Sequence, residues 1–345
     1  MRLAFIMVIC SFFLTACEPS SMTQNSPFEY PHTEQVPVVD VYFGTEVTDP
    51  YRWLEDDMSA ATATWVDAQN AVTFEYLDAL PRKQEFTERL ARLLDYERES
   101  APFDEGRYTY FRRNSGLQNQ AVIYRLNASG KESVFIDPNS LSEDGTTSIA
   151  ALSFSASGNL AAYQKSEGGA DWRSVEVIDT ESLEVVDQID DVKFSGLAWR
   201  GETGFYYSRY DSPEGNELTA KTDHHRLYFH GLGTAQSADQ VVFGNGANEK
   251  YRYVSGYVTE DQQFLVIYAS NTTSGNRLFV RDLTTPDAGL VTVAEDESAD
   301  VGVVFSKDGT LFAETNRSAA NNRLVKFRLD APEQWQDVIL SLIHI

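Results

Sequence analysis

The sequence predicts a mainly β chain, a β-propeller behind an N-terminal helical segment, and three observations carry that prediction. Beyond about Ala101, β-branched and aromatic residues alternate with polar ones in short runs bounded by Gly, Asp, Asn and Ser, the pattern of half-buried strands. The runs repeat at a nearly even interval. Of the 345 residues, 42% are hydrophobic, enough to bury an extended core.

Taken in order, residues 1–17 (MRLAFIMVICSFFLTAC) read as an export signal. Arg2 supplies a positive start, and Leu3 to Leu14 form an apolar stretch too short for a comfortable membrane span. Leu14-Thr15-Ala16-Cys17 resembles a bacterial lipobox, in which the cysteine takes the lipid and becomes the first mature residue. Cys17 is therefore the expected lipid attachment site. The expected location is periplasmic, anchored by that lipid, in the outer membrane. With Cys10 removed in the signal, the mature chain has no free thiol. No disulfide framework is possible, and thiol catalysis and Cys-ligated metals are excluded. Residues 18–29 (EPSSMTQNSPFE) are polar and proline-containing, the composition of a flexible tether.

Residues 30–100 form the helical segment. Trp65, Ala68, Val72 and Tyr76 fall on one face of a helix, and Pro81 then breaks the chain before a second helix with Phe86, Leu90 and Leu93 on its apolar side. Residues 101–340 hold the repeat. A turn of small or polar residues feeds an apolar strand at YTYF, LAAYQ, FYYSR, QFLVIY and TLFAE, and a second strand follows each time. The centres of those second strands, Tyr124, Val177, Tyr228, Phe279 and Phe327, lie 53, 51, 51 and 48 positions apart. A unit near this length with three or four antiparallel strands is a propeller blade, whose two open faces only its neighbours can bury. A β-sandwich does not need evenly spaced copies of one strand order. About five blades fit before the end, the last expected to lack its outer strand. Residues 341–345 (SLIHI) fit the pattern poorly and resemble translated adaptor sequence, so a truncated reading frame with a non-native tail is expected.

Charge narrows the function. There are 28 Lys+Arg against 52 Asp+Glu, a formal net charge of −24. That excludes a general nucleic-acid binder, which needs cations to displace counterions from phosphate, and argues against a basic face on anionic lipid. Contact with a membrane is expected through the lipid alone.

Several ordered motifs resemble the prolyl oligopeptidase family of serine peptidases. They are Asp49-Pro50-Tyr51-Arg52-Trp53-Leu54-Glu55-Asp56 with Trp65 and Ala68-Gln69-Asn70, then Gly116-Leu117-Gln118-Asn119-Gln120, then Asp171-Trp172. Lys193-Phe194-Ser195-Gly196-Leu197-Ala198-Trp199 and His230-Gly231-Leu232-Gly233-Thr234 complete the set. The similarity runs from about Tyr30 to about Leu329. It implies a seven-bladed propeller capping an α/β-hydrolase domain, with the N-terminal helices packed on the hydrolase. It also implies a Ser-His-Asp triad, access limited to short peptides, cleavage after proline, no cofactor, and a monomer when full length. The sister oligopeptidase B branch, cutting after Lys or Arg, usually lacks the GLQNQ element. Two positions carry over to the propeller side of the cavity as substrate-binding: Val177, where the family has an aromatic wall residue, and Ser270, where the prolyl branch often has an arginine, with Ala269 as the rival alignment. Both depart from the family pattern.

The catalytic residues are not in this sequence. A hydrolase nucleophile needs a sharp G-x-S-x-G turn, and none occurs. Ser115, Ser157, Ser195, Ser255 and Ser274 read as turn residues. The triad is expected beyond residue 345, and the hydrolase domain is expected to be absent, so this chain should not hydrolyse peptides. No metal site is expected: His224, His225 and His230 read as solvated loop histidines. Glu85, Glu88, Asp95, Glu97 and Glu99 read as a solvated helix face. Gly168-Gly169 and Gly244-Asn245-Gly246 lack the lysine or helix start of a phosphate loop. The rival function is a non-enzymatic propeller lipoprotein that binds a partner; a sugar-active propeller would need inward carboxylates near its axis.

Overall fold

The computed structural model describes residues 28–211, 222–246 and 249–340. Cys10, Cys17, nearly all of the tether and the tail 341–345 lie outside the described residues. Strands β1 (Val39–Tyr42) and β2 (Thr45–Thr48) form a hairpin. Its turn residues Phe43 and Gly44 both have positive φ (51° and 85°), which matches the twist of a two-residue hairpin turn. Helices α1 (Ala60–Asp78) and α2 (Lys83–Leu94) follow. Ser59 caps α1, its Oγ accepting the Thr62 N–H at 3.1 Å. Pro81 stands just ahead of α2 rather than in its first turn.

The motif at 49–56 is a clasp. The Arg52 Nε donates to Asp49 at 2.6 Å, and the same guanidinium pairs with Asp40 of β1. The Trp53 indole donates to the Glu34 carbonyl at 2.9 Å, and Trp65 on α1 donates to the Thr33 hydroxyl at 2.9 Å. The leading segment, the hairpin and α1 are thereby joined. On α1 the residues Trp65, Ala68 and Val72 are half-buried, as the periodicity predicts, whereas Tyr76, the fourth of that face, is exposed. On α2 the apolar side is exposed: Phe86, Leu90 and Leu93 are 57%, 54% and 52% exposed.

Five antiparallel sheets follow. The first joins β3 (Arg98–Glu99), β4 (Phe103–Glu105), β5 (Tyr108–Asn114), β6 (Val122–Leu126) and β7 (Glu132–Ile136), with β3 and β4 both on the β5 edge. The second runs in order through β8 (Ser148–Phe154), β9 (Leu160–Ser166), β10 (Trp172–Asp179) and β11 (Val185–Lys193). The third holds β12 (Ala198–Arg200), β13 (Gly204–Arg209), β14 (Arg226–Gly231) and β15 (Gln240–Phe243). The fourth holds β16 (Tyr253–Val258), β17 (Phe264–Ser270), β18 (Arg277–Asp282) and β19 (Val291–Ala294). The fifth holds β20 (Val301–Lys307), β21 (Thr310–Thr315), β22 (Arg323–Arg328) and β23 (Ala331–Ile339). Each sheet is a meander, the strand order of a propeller blade.

The expectation of a missing outer strand in the last blade is overturned. β23 pairs with β22 from Leu324↔Ile339 to Arg328↔Ala331. Its signal was hidden because its residues are mostly exposed and so carry little alternation. Ser255 is likewise corrected: it lies within β16, not in a turn.

The core sits between sheets. On β17, Phe264 and Val266 pack toward the fifth sheet, against Val301 and Leu311, while Leu265 and Ile267 pack toward the third, against Leu227. Successive side chains point to opposite faces, so a strand with a neighbouring sheet on each side must be apolar throughout. The first and second sheets share Tyr110, Phe135, Tyr163 and Ile178 in the same way. The turns between first and second strands touch each other along one rim. Gly106 and Gly158, both at positive φ, bring two such turns so close that a Cβ on Gly158 would lie 2.5 Å from the Gly106 Cα. Ser157 donates to Glu202, and the Gly201 N–H to Gln262, continuing the contact to the third and fourth sheets. The Glu105 carboxyl of the first sheet is held above its ordinary range by burial and then by the charge of Glu260 in the first turn of the fourth.

Candidate functional site

In a four-stranded meander, the loop between second and third strands opens on the same rim as the link to the next sheet. That rim carries the loop 115–121, the loop 167–171, the link 194–197, the described parts (244–246 and 249–252) of the next link, and the loop 271–276. It is also the rim joined to the helical segment. The Gly116 φ is +142°, and a Cβ there would meet the Asp95 carboxylate just after α2. Arg98 donates to the Gly116 carbonyl at 2.8 Å. Within the loop, Gly116 N–H donates to Asn114 Oδ1 at 2.9 Å and Asn114 Nδ2 to the Gln118 carbonyl at 2.9 Å. The GLQNQ segment therefore builds a loop pinned to Arg98 of β3 and set against the end of α2.

Where β11 passes to the third sheet, the rim is aromatic and cationic. The Lys193 ammonium lies 5.0 Å from the Trp172 ring and 5.3 Å from the Phe194 ring, and it makes no ion pair among the described residues. Such contacts favour a cation on the ring face. Phe194 has φ +52°, a left-handed backbone strained for a bulky side chain, and its ring is 40% exposed. It meets Tyr210 and Tyr253 at ring separations of 6.3 Å each.

Beneath these rings, His225 joins three sheets. Its Nδ1 accepts the Val254 N–H at 2.9 Å, so Nε2 carries the proton and donates to the Lys193 carbonyl at 3.0 Å. Tyr210 stacks on the imidazole at 4.2 Å and donates its hydroxyl to the Arg252 carbonyl at 2.5 Å. Burial pushes the His225 pKa down to about 4, against the smaller upward pull of the Lys193 carbonyl. The belt continues outward: Arg252 N–H to Asn271, Asn271 N–H to Glu297, Gly275 N–H to Asp300, and Asp300 with Asn316.

The histidine expectation is corrected here. His225 and His230 are fully buried rather than solvated. His224 is half-buried, at φ +60°, just ahead of β14. His230 lies between Asp239 (Nδ1, 2.9 Å) and Asp187 (Nε2, 3.1 Å), with the two ring nitrogens engaged separately. Among the described residues there is no group of three or more His, Cys, Asp or Glu that could hold a metal.

Of the two substrate-binding candidates, Val177 is 1% exposed. It pairs with Ala162 on β9 and Asp187 on β11, and packs between the second and third sheets against Tyr207 and Tyr228. In this position it is a packing residue. Ser270 ends β17, half-buried, in a cavity of about 330 Å³ with Tyr268, the loop residues Thr272 and Asn276, and Asp300. Its rival Ala269 is buried against the third sheet. The two candidates thus sit on the second and fourth sheets. Lys193, Phe194 and Tyr253 were not singled out as site residues, although Lys193 and Phe194 stand inside a motif. Nothing local in a strand end announces that it meets three sheets.

The N-terminal β-propeller domain of prolyl oligopeptidase is the family whose model matches, over residues 30–341. The chain belongs to the prolyl oligopeptidase family. It is 46% identical over 324 residues to a prolyl endopeptidase of Elizabethkingia miricola, covering 93% of this chain and 46% of that protein. To a prolyl oligopeptidase A of Amanita bisporigera it is 30% identical over 358 residues, covering 91% and 46%. Among solved structures, prolyl oligopeptidase B from Galerina marginata, bound to a 35mer substrate, superposes with a TM-score of 0.76 at 26% identity, over 91% of this chain and 48% of that one. The chain spans about half the length of the curated relatives it matches.

Proposed function

We propose that this chain is the propeller part of a serine endopeptidase that cleaves short peptides on the carboxyl side of proline. The observation that carries this reading is the match of residues 30–341 to the family's propeller, joined to relatives that are prolyl endopeptidases. The chemistry would be acyl transfer to a serine followed by hydrolysis, performed by a Ser-His-Asp domain encoded beyond residue 345. The propeller would act as a filter. Its first turns touch along one rim, backbone to backbone between Gly106 and Gly158 and through the Gln262 side chain at Gly201, a narrowing that suits a filter for extended peptides.

On this reading the exposed α2 face (Phe86, Leu90, Leu93) docks on the catalytic domain, and the rim of Phe194, Tyr253 and Ser270 faces the peptide. Val177 packs inside the propeller, toward the opposite rim, and does not meet the peptide. The full-length enzyme is a monomer without cofactor, exported and held at the outer membrane by lipid on Cys17. The anchor is tested by mass spectrometry of the mature N-terminus, which would be a lipid-modified Cys17 and would lose its lipid in Cys17→Ala.

The activity test compares two proteins on fluorogenic peptides. The protein encoded by the complete reading frame should cleave after Pro and not after Lys or Arg, while the 345-residue chain should be inactive. Cleavage after Lys or Arg would move the assignment to the oligopeptidase B branch. A reading frame with no G-x-S-x-G turn, and no cleavage at all, would replace it with a binding propeller.

A further inference from the structure

The second and third sheets are joined by a buried cluster that neither packing nor the peptide-facing rim requires. His230, near the end of β14, is fully buried. Its Nδ1 lies 2.9 Å from Asp239 Oδ1, in the segment leading to β15, and its Nε2 lies 3.1 Å from Asp187 Oδ2 on β11. Each carboxylate accepts a further donor. The Tyr207 hydroxyl of β13 donates to Asp239 at 2.9 Å, and the Gly233 N–H donates to Asp187 at 2.6 Å. The cluster lies on the rim opposite the peptide-facing one.

A carboxylate only accepts, and each ring nitrogen faces one. A neutral imidazole has a single N–H, so one nitrogen lone pair would then face a carboxylate oxygen at about 3 Å, buried and repulsive. The imidazolium satisfies both. We propose that Asp187, His230 and Asp239 form a proton-gated latch between the second and third sheets, closed while the imidazole holds two protons and released when it loses one.

Release separates Asp187 of the second sheet from the turn Gly231–Gln240 of the third. Among the described residues, the other titratable group from the packed elements that touches the cluster is Tyr207, itself beside Arg209 and Gln236. Phe205 of β13 covers the ring at 5.4 Å and contributes no charge. Burial works against the imidazolium, but the Asp239 bond and charge, then those of Asp187, outweigh it and hold the His230 pKa above its ordinary value. A neighbouring stitch does not titrate. Gln236 Nε2 donates to the Asp190 carbonyl at 2.7 Å, and the Asp190 N–H donates to Gln236 Oε1 at 3.1 Å.

The test is hydrogen exchange followed by mass spectrometry across pH, on the complete natural protein, reading both the histidine C2 hydrogen and the backbone amides. His230 should titrate above pH 6.5. Amide protection over 231–239 should fall through the same midpoint, beyond the intrinsic pH trend, while protection over 264–270 should not. Asp187→Asn should lower the midpoint, and Gln236→Ala should weaken protection without moving it. A midpoint at or below 6.5, or amide protection flat across the midpoint, would overturn the latch.

Discussion

Two buried histidines, one just ahead of β14 and one within it, answer pH with opposite signs. His225 is neutral in the fold, with a pKa of about 4 against about 6.5 when unfolded. Between those values the unfolded chain binds the proton and the folded chain does not, so stability is intact above pH 6.5 and drains away as pH falls toward 4. The loss is at most about 3.5 kcal/mol, since each tenfold difference in proton affinity between the two states is worth about 1.4 kcal/mol. His225→Gln should flatten that acid slope in urea titrations run from pH 7 to 4. His230 is raised, so its contribution is whole below 6.5 and is lost only as pH climbs through its folded pKa. Gly158 offers a second test at this scale. An alanine there meets both a φ of +71° and the Gly106 backbone, which cannot rotate aside. Gly158→Ala should lower stability by about 2 kcal/mol or more. Gly130→Ala, at φ +76° with nothing within 4 Å, should lose only the conformational part, about 1 kcal/mol.

At the scale of the strand, legibility tracks how many faces are buried. The second and third strands of each sheet stood out in the sequence because both faces pack; FLVIYAS of β17 is the clearest case. Leu265→Ala should therefore cost about 2–5 kcal/mol in chemical denaturation. Val304→Ala, on the half-exposed β20, should stay within about 0.5 kcal/mol. First and fourth strands were harder to see for the same reason. β12 is three residues long, and β23 lies mostly open to solvent. The site was less legible than the fold. His225 and His230 look like loop residues because a polar side chain in a strand is read by default as facing water, and their partners lie on other sheets. Asp187 stands 43 positions before His230, and Val254 stands 29 after His225. No local pattern joins residues that far apart.

At the scale of the whole molecule, the helical segment is the part whose chemistry and surroundings disagree. α2 was read as amphipathic, and it is, yet its apolar side stays open to solvent: Phe86 and Leu90 line an open apolar cavity of about 520 Å³ with Leu80 and Pro81. A contiguous apolar patch at a domain surface marks an interaction site. Left open, it favours association, so the 345-residue chain should melt broadly and self-associate rather than show one sharp monomeric transition. The double substitution Phe86→Glu with Leu90→Glu separates the two states of this face. In the 345-residue chain both positions are exposed and glutamate is a good helix former, so stability should change by less than about 1 kcal/mol while self-association falls. On the proposed reading, the complete protein would bury the same two carboxylates without partners, and its melting temperature should drop by several degrees. Equal effects in both proteins, measured by calorimetry and sedimentation, would mean that the face never docks on the catalytic domain.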